Sequence, residues 1–213
     1  MTGKIKLVHS GGNAVSIAVP TSNPSSSEVE FKLPQADGTS GQALVTDASG
    51  NLSFAGTGKL LQVVSTTRTD TFSESLATGT LSADALTVNI TPSNANNKIF
   101  LTAHVSMGLN NDNEVNWVFY KAGSLLTGAA GTADGNRKPR TSGGDVRWTG
   151  THNTTGGQYL DTAGGTSQIT YSVRLGHSAN GTKTVYLNRS HTDDNYAYDI
   201  RTQSTLTVME VAA

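Results

Sequence analysis

The chain has 213 residues, of which 35% are hydrophobic, 15% charged and 6% aromatic, with 23 glycines, no cysteine and a formal net charge of −1. Globular domains usually carry about 45–50% apolar and about 25% charged residues; here Ser and Thr alone supply about a quarter of the chain. The near-neutral charge argues against nucleic acid as a partner. The missing cysteine excludes disulfides and Cys-based zinc sites, and no apolar run approaches the ~20 residues of a helical membrane span. Met1 to Leu7 contains lysines but no apolar core, so it does not read as a secretory signal, and the lack of cysteine predicts synthesis in a reducing cytoplasm or indifference to redox. Thr suits a pleated surface and Gly and Asn suit turns, so the composition predicts an all-β chain.

The first elements are short. Lys4 to Val8 alternates Ile5 and Leu7, Ala14 to Val19 alternates Val15, Ile17 and Val19, and Glu28 to Leu33 alternates Val29, Phe31 and Leu33, with a brief Leu52–Phe54 run after them. Turn signals separate them: Gly11-Gly12-Asn13, the stretch Pro20 to Ser27, Asp37-Gly38 and Ser49-Gly50-Asn51. Each run has the period-2 pattern of a strand with one buried face. A boundary is expected near Gly56 to Gly58, dividing the chain into residues 1–57 and 58–213. The first part offers about ten inward apolar side chains, and a domain below roughly 70 residues rarely buries enough area to offset its ordering entropy. It is therefore expected either to wrap with identical copies around a shared axis or to stay partly disordered until it docks on something, with Val15, Ile17, Val29, Phe31 and Leu33 as the candidate core of such an oligomer.

From Lys59 onward the strands lengthen. Lys59–Ser65, Ala85–Thr91, Lys98–Met107, Glu114–Lys121, Gln168–Leu175, Lys183–Arg189 and Ser204–Val211 all alternate, and Thr71–Leu76, Ser124–Leu126 and Asp145–Thr149 are shorter candidates. Leu206, Val208 and Glu210 are read on alternating faces of the last strand. Eight to ten short antiparallel strands over about 150 residues predict a sandwich or jelly roll. Thr127–Gly144 has no periodicity and is expected to be a long loop of the functional or mobile kind. Its Arg137, Lys138 and Arg140 are read as a solvated charge run.

No catalytic constellation emerges. The histidines at 9, 104, 152, 177 and 191 have no metal-ligand spacing, and neither a nucleophile elbow nor a phosphate-cradling loop is present. Glu74, Glu114 and Glu210 are isolated carboxylates, so an enzyme is disfavoured and neither cofactor nor metal is expected. His104 is read on the face opposite Ile99, Leu101 and Val105, as a structural histidine. His191 with Asp193 and Asp194 reads as a hairpin tip, because adjacent aspartates diverge in extended chain. Trp117 and Phe119 read as core. Trp148, Tyr159, Tyr196 and Tyr198 sit near loops with Asn and Asp, and with Asp193 and Asp194 they form the candidate exposed contact surface, since Tyr and Trp serve both stacking and hydrogen bonding at interfaces.

The stretch from Phe31 to Phe54, FKLPQADGTSGQALVTDASGNLSF, resembles a recurring segment of tailed-bacteriophage fibres and other virion-surface proteins, frequent in marine cyanophages: Leu-Pro, an acidic-Gly turn, Gly-Gln-Ala-Leu, then Thr-Asp, Gly and an aromatic. Lys59 to Ala213 resembles the compact C-terminal heads of such fibres, similar to the trimeric jelly rolls of C1q and tumour necrosis factor. The residues that carry this are Leu60–Val64, the Pro-Ser-x-Ala-x-Asn-Lys-Ile of Pro92 to Ile99, Ile169–Val173, and a last strand ending Met209-Glu210-Val211. The resemblance implies a homotrimeric virion protein, made in the host cytoplasm. Its first segment would trimerise and dock on other virion proteins of tail or capsid, and its knob would adhere to a host-surface glycan or protein. A capsid decoration protein that clamps capsomers without a receptor is the alternative it implies.

Overall fold

The computed structural model describes all residues except 1–3, 19–21, 23, 25–27, 40, 48, 57–58, 149 and 198. Its contacts divide the chain into two units, Met1–Thr57 and Gly58–Ala213.

The first unit holds two antiparallel hairpins. In one, β1 (Lys4–Val8) pairs with β2 (Ala14–Ala18), Ile5 facing Ile17 and Leu7 facing Val15. Val19, expected to close β2, is outside the described residues. In the other, β3 (Gln42–Thr46) pairs with β4 (Leu52–Gly56), Leu44 facing Phe54. Asp47 shapes the connecting turn: Oδ1 accepts from the Ser49 and Asn51 amides at 2.8 and 3.2 Å, and Oδ2 accepts from Asn51 Nδ2 at 2.6 Å. These bonds, led by the Asn51 side chain, lower the Asp47 pKa. Gly50 has φ +85°, and a Cβ there would collide with the Glu30 carbonyl. Glu28–Leu33 is not a strand, correcting the sequence reading. Only Lys32 bridges, in parallel, to Asn51, its amide donating to Gly50 O and its carbonyl accepting from Leu52 N, both at 2.8 Å. The alternation of Val29, Phe31 and Leu33 marks an extended chain without a sheet neighbour beyond this contact.

The second unit is a two-sheet sandwich. Its strands are β5 (Leu60–Arg68), β6 (Phe72–Leu76), β7 (Leu81–Ile90), β8 (Lys98–Leu109), β9 (Asn113–Lys121), β10 (Ser124–Leu125), β11 (Ser142–Val146), β12 (Asn153–Thr162), β13 (Ile169–His177), β14 (Lys183–Leu187) and β15 (Ser204–Val211). One edge of β8 is taken by β12, and the other by β15 over Lys98–His104 and then by β14 over Met107–Leu109. On their far edges β15 pairs with β5 and β14 with β6. So β5 with β6, and β14 with β15, are each one long strand broken in the middle. Counted that way, the first strand pairs with the eighth, the second (β7) with the seventh (β13), the third (β8) with the sixth (β12), and the fourth (β9) with the fifth (β10 and β11). β13 and β9 join the second pair to the fourth, and β15 and β8 join the first to the third. This is jelly-roll connectivity, a long antiparallel ribbon rolled into two sheets.

The core lies between the sheets, built from the inward residues of β7, β8, β9, β13 and β15, among them Ile99, Leu101, Trp117, Phe119, Tyr171 and Leu206. Trp117 and Phe119 meet edge to face, centroids 4.9 Å apart at 87°, and Trp117 Nε1 donates to Thr155 Oγ1 at 2.8 Å. β12 was missed in the sequence because it reads NTTGGQYLDT. The weak pattern has a steric cause: a Cβ at Gly157 would lie 2.7 Å from the Trp117 ring. The turn Thr127–Ala129 is a 3-10 helix, and β11 begins at Ser142 rather than Asp145; Thr149 is outside the described residues. Leu206, Val208 and Glu210 share the inner face of β15 rather than alternating across it, as all three are buried.

Glu210 is a buried carboxylate with a full set of donors. Oε1 accepts from the Ser93 amide (2.7 Å), Ser93 Oγ (2.7 Å) and Asn97 Nδ2 (2.6 Å), and Oε2 accepts from Gln62 Nε2 (2.5 Å). Burial pushes its pKa up, and the bonds from Asn97, Gln62 and Ser93 overcome that and hold it at about 2. The Pro92–Ile99 segment and the Met-Glu ending are thereby joined through one side chain.

A folded-state pKa below the ordinary 4.5 contributes stability that is present above that value and lost as pH falls towards about 2. Glu210→Gln is expected to lower unfolding free energy near neutral pH by about 1–3 kcal/mol and to flatten its fall between about pH 5 and pH 2. Urea titrations of both proteins across that range check this, and an unchanged slope contradicts it.

Candidate functional site

Between β14 and β15 the chain leaves the sheet for residues 189–203 and returns beside its point of departure. Leu187 faces Met107 and Thr205 faces His104, so two β8 residues span the gap. Asn188, with φ +63°, closes the neck. Its amide donates to Ser106 O (2.9 Å), its Oδ1 accepts from Ser204 Oγ (2.6 Å), and its Nδ2 donates to Arg68 O and Asp70 O (2.8 and 2.9 Å). Ser204 Oγ accepts from the Ser106 amide at 2.9 Å, and Thr202 Oγ1 donates to Ser106 Oγ at 2.8 Å. Every polar atom of a wholly buried amide is matched, as burial demands. The result is a surface loop with touching ends, a kind that often carries function.

Within it Asp193 is a brace. It accepts two bonds from Arg201 (2.9 and 2.7 Å) and pairs with Arg189 at 3.1 Å. Arg189 also lies over the Tyr186 ring at 4.3 Å, and Tyr186 Oη meets His191 Nδ1 at 2.7 Å. His191 and the aspartates thus sit in a broad excursion, not at a hairpin tip. Among the described residues no three His, Asp or Glu side chains gather as a cation site. Asp194 and Tyr196 are exposed; Tyr198 is outside the described residues.

The remaining sequence candidates part company. Trp148 is 74% exposed and borders a depression of about 440 Å³ with Asp112, Asn113, Asp145, Val146 and Arg147. A turn supports it, since Thr151 N and Oγ1 both donate to Trp148 O, at 2.9 and 2.8 Å. Tyr159 does not belong to an exposed surface. It is half-buried against the core, with its hydroxyl where a Cβ on residue 128 would stand, because inward positions of β12 face the sandwich. His104 is exposed on the outer face, opposite the buried Ile99, Leu101 and Val105.

Sequence reasoning missed a third feature, a cleft of about 580 Å³ between the Thr78–Gly79 turn, the ends of β9 and β13, and the loop at residues 131–140. Arg140 is not solvated with Arg137 and Lys138. It is half-buried, and Nε, Nη1 and Nη2 donate to Asn116 Oδ1 (2.7 Å), Pro139 O (2.9 Å) and Gly79 O (3.1 Å). Burial draws its pKa down, partly countered by Tyr120 and Glu114, and the guanidinium stays charged. His177 is buried in the cleft wall, with Nε2 2.9 Å from the Leu76 carbonyl and Nδ1 unpartnered. The period-2 run Tyr171, Val173, Leu175 carried two residues further would have put His177 on the buried face.

The outer face of the β5–β15–β8–β12 sheet carries a fourth. Val63 faces Met209, Met209 faces Phe100 and Phe100 faces Leu160, so an apolar row crosses four strands. Val63 and Leu160 are exposed, as are Leu60 and Leu61 beside the row.

No protein family and no curated protein matches this chain. Similar solved structures are those of infectious bursal disease virus. The Gx strain is 15% identical over 94% of this chain and 47% of that chain, at TM-score 0.36. The Gt strain is 15% identical over 95% and 48%, at 0.35, and the VP2 subviral particle 14% over 95% and 48%, at 0.30. The chain spans about half the length of each. At such low TM-scores the likeness assigns nothing to the surfaces described above.

Asn188→Ala is expected to destabilise the second unit by about 2–3 kcal/mol, by stranding buried carbonyls and the Ser204 hydroxyl. Asp193→Asn is expected to leave the unfolding midpoint close to that of the parent while speeding cleavage within residues 189–203. Chemical denaturation and limited proteolysis separate the two, and equal effects on both measures contradict the division of neck from loop.

Proposed function

We propose that the chain is a virion structural protein of a tailed bacteriophage, a homotrimeric fibre or spike whose first unit is completed by sister copies and whose jelly roll is presented to the host surface. The observation that carries this is an absence of interior. No residue before Leu76 whose side chain is described is buried, and Ile17, Phe31 and Leu33 are 70%, 63% and 77% exposed. Large apolar side chains left in water on this scale point to an association surface. Ile17, Val29, Phe31 and Leu33 are all exposed members of the expected trimer core, and Val15 is described only through its backbone pairing with Leu7. Both the Val63–Leu160 row and the Phe31–Phe54 resemblance support the same assembly. Three copies of one weak contact surface on a trimer gain from effective concentration, so modest single-site affinity is enough for adhesion. Trp148, Asp194 and Tyr196 are the exposed residues offered for it.

Sedimentation equilibrium of the full chain is expected to give three times the chain mass of 22.2 kDa, and Val63→Lys with Leu160→Lys is expected to shift it towards one. A folded, single-chain species at micromolar concentration overturns the assembly. Saturating protein is expected to compete with phage adsorption to host cells, with Trp148→Ala weakening competition at unchanged stability, within about 0.5 kcal/mol. No competition by the parent overturns adhesion, and particle density at capsid three-fold points in electron microscopy overturns the tail location.

A further inference from the structure

The cleft between the Thr78–Gly79 turn and the loop at residues 131–140 has a chemistry that its own side chains leave incomplete. Buried cations are ordinarily paired with an anion, yet the half-buried Arg140 guanidinium donates only to neutral acceptors, one amide oxygen and two backbone carbonyls. Arg137 on the rim is paired with Asp134, and Lys138 adds positive charge against the carboxylate of Glu114. That carboxylate accepts from Ser178 Oγ at 3.0 Å. A carbonyl has no proton to give, so His177 Nε2 donates to Leu76 O, and in that tautomer Nδ1 is an acceptor. It has no donor among the described residues. The site therefore asks for an anionic group at Arg140 and for hydroxyl donors towards His177 and Glu114. A bare inorganic anion supplies only the first and fills little of about 580 Å³, a volume in the range of small-molecule sites.

We propose that this cleft binds a carboxylated sugar unit, the carboxylate on Arg140 and Lys138 and ring hydroxyls donating to His177 Nδ1 and the Glu114 carboxylate. This deepens the adhesion reading by naming the class of surface glycan, an acidic polysaccharide, and takes only its biological setting from that reading.

The test uses the full chain with its five histidines labelled at Cε1. Methyl glucuronoside, methyl glucoside and inorganic phosphate are titrated separately. The glucuronoside is expected to shift the His177 resonance in the millimolar range, with the glucoside at least about tenfold weaker and phosphate leaving His177 unmoved. Arg140→Gln is expected to weaken the glucuronoside at least about tenfold. Because Arg140 also ties Asn116 to Gly79, Thr132→Trp, which fills the cleft from an exposed loop position, is the second variant and is expected to abolish the shift. No His177 shift up to about 20 mM glucuronoside, an equal response to phosphate, or an undiminished response in Thr132→Trp overturns the proposal. Competition for phage adsorption is read separately: adhesion without glucuronoside binding removes the cleft alone, and glucuronoside binding without adhesion removes the host-attachment reading alone.

Discussion

A chain so poor in apolar side chains can close one interior, and this one closes it between Leu76 and Val208. Hydrophobic stabilisation scales with apolar area removed from water, so where those side chains go decides which part of the molecule is self-sufficient. The second unit seals Ile99, Leu101, Trp117, Phe119 and Tyr171 between two sheets. The first unit folds into hairpins by turn chemistry, through Asp47 and Gly50, and leaves Ile17, Phe31 and Leu33 in water. The proposed assembly follows from that imbalance.

Two of the buried polar side chains stand where strand lines end or break. Asn188 stands where β14 stops short of β15, and Glu210 stands where β15 meets the turn after β7, held by Ser93 and Asn97. Both are buried and fully matched, so each fixes register at a point where apolar packing alone would allow slippage. Arg140 and His177 differ in kind. They too are withdrawn from solvent, but their hydrogen bonding is unfinished, and they line open space.

Much of the fold was legible in the sequence because long antiparallel strands print their burial as a period of two. Lys98–Met107, Glu114–Lys121 and Ser204–Val211 were readable for that reason. β12 was not, since Gly157 yields its volume to the Trp117 ring and Thr155 spends its hydroxyl on the indole, so neither registers as apolar. Glu28–Leu33 failed in the opposite sense, alternating without a ladder beside it. The candidate surface was harder to read. Trp148 and Tyr196 are exposed as expected, but Asp193 is occupied by two arginines and Tyr159 faces inward. The cleft joins residues from four stretches far apart in sequence, which no local pattern reveals.

The necked excursion at residues 189–203 separates what the sandwich requires from what the surface displays. Its ends are fixed to the same short piece of β8, so segments of other lengths and compositions can be grafted there with the sheet hydrogen bonds unaltered. Variation of that segment in length and composition is thereby uncoupled from the folding of the sandwich.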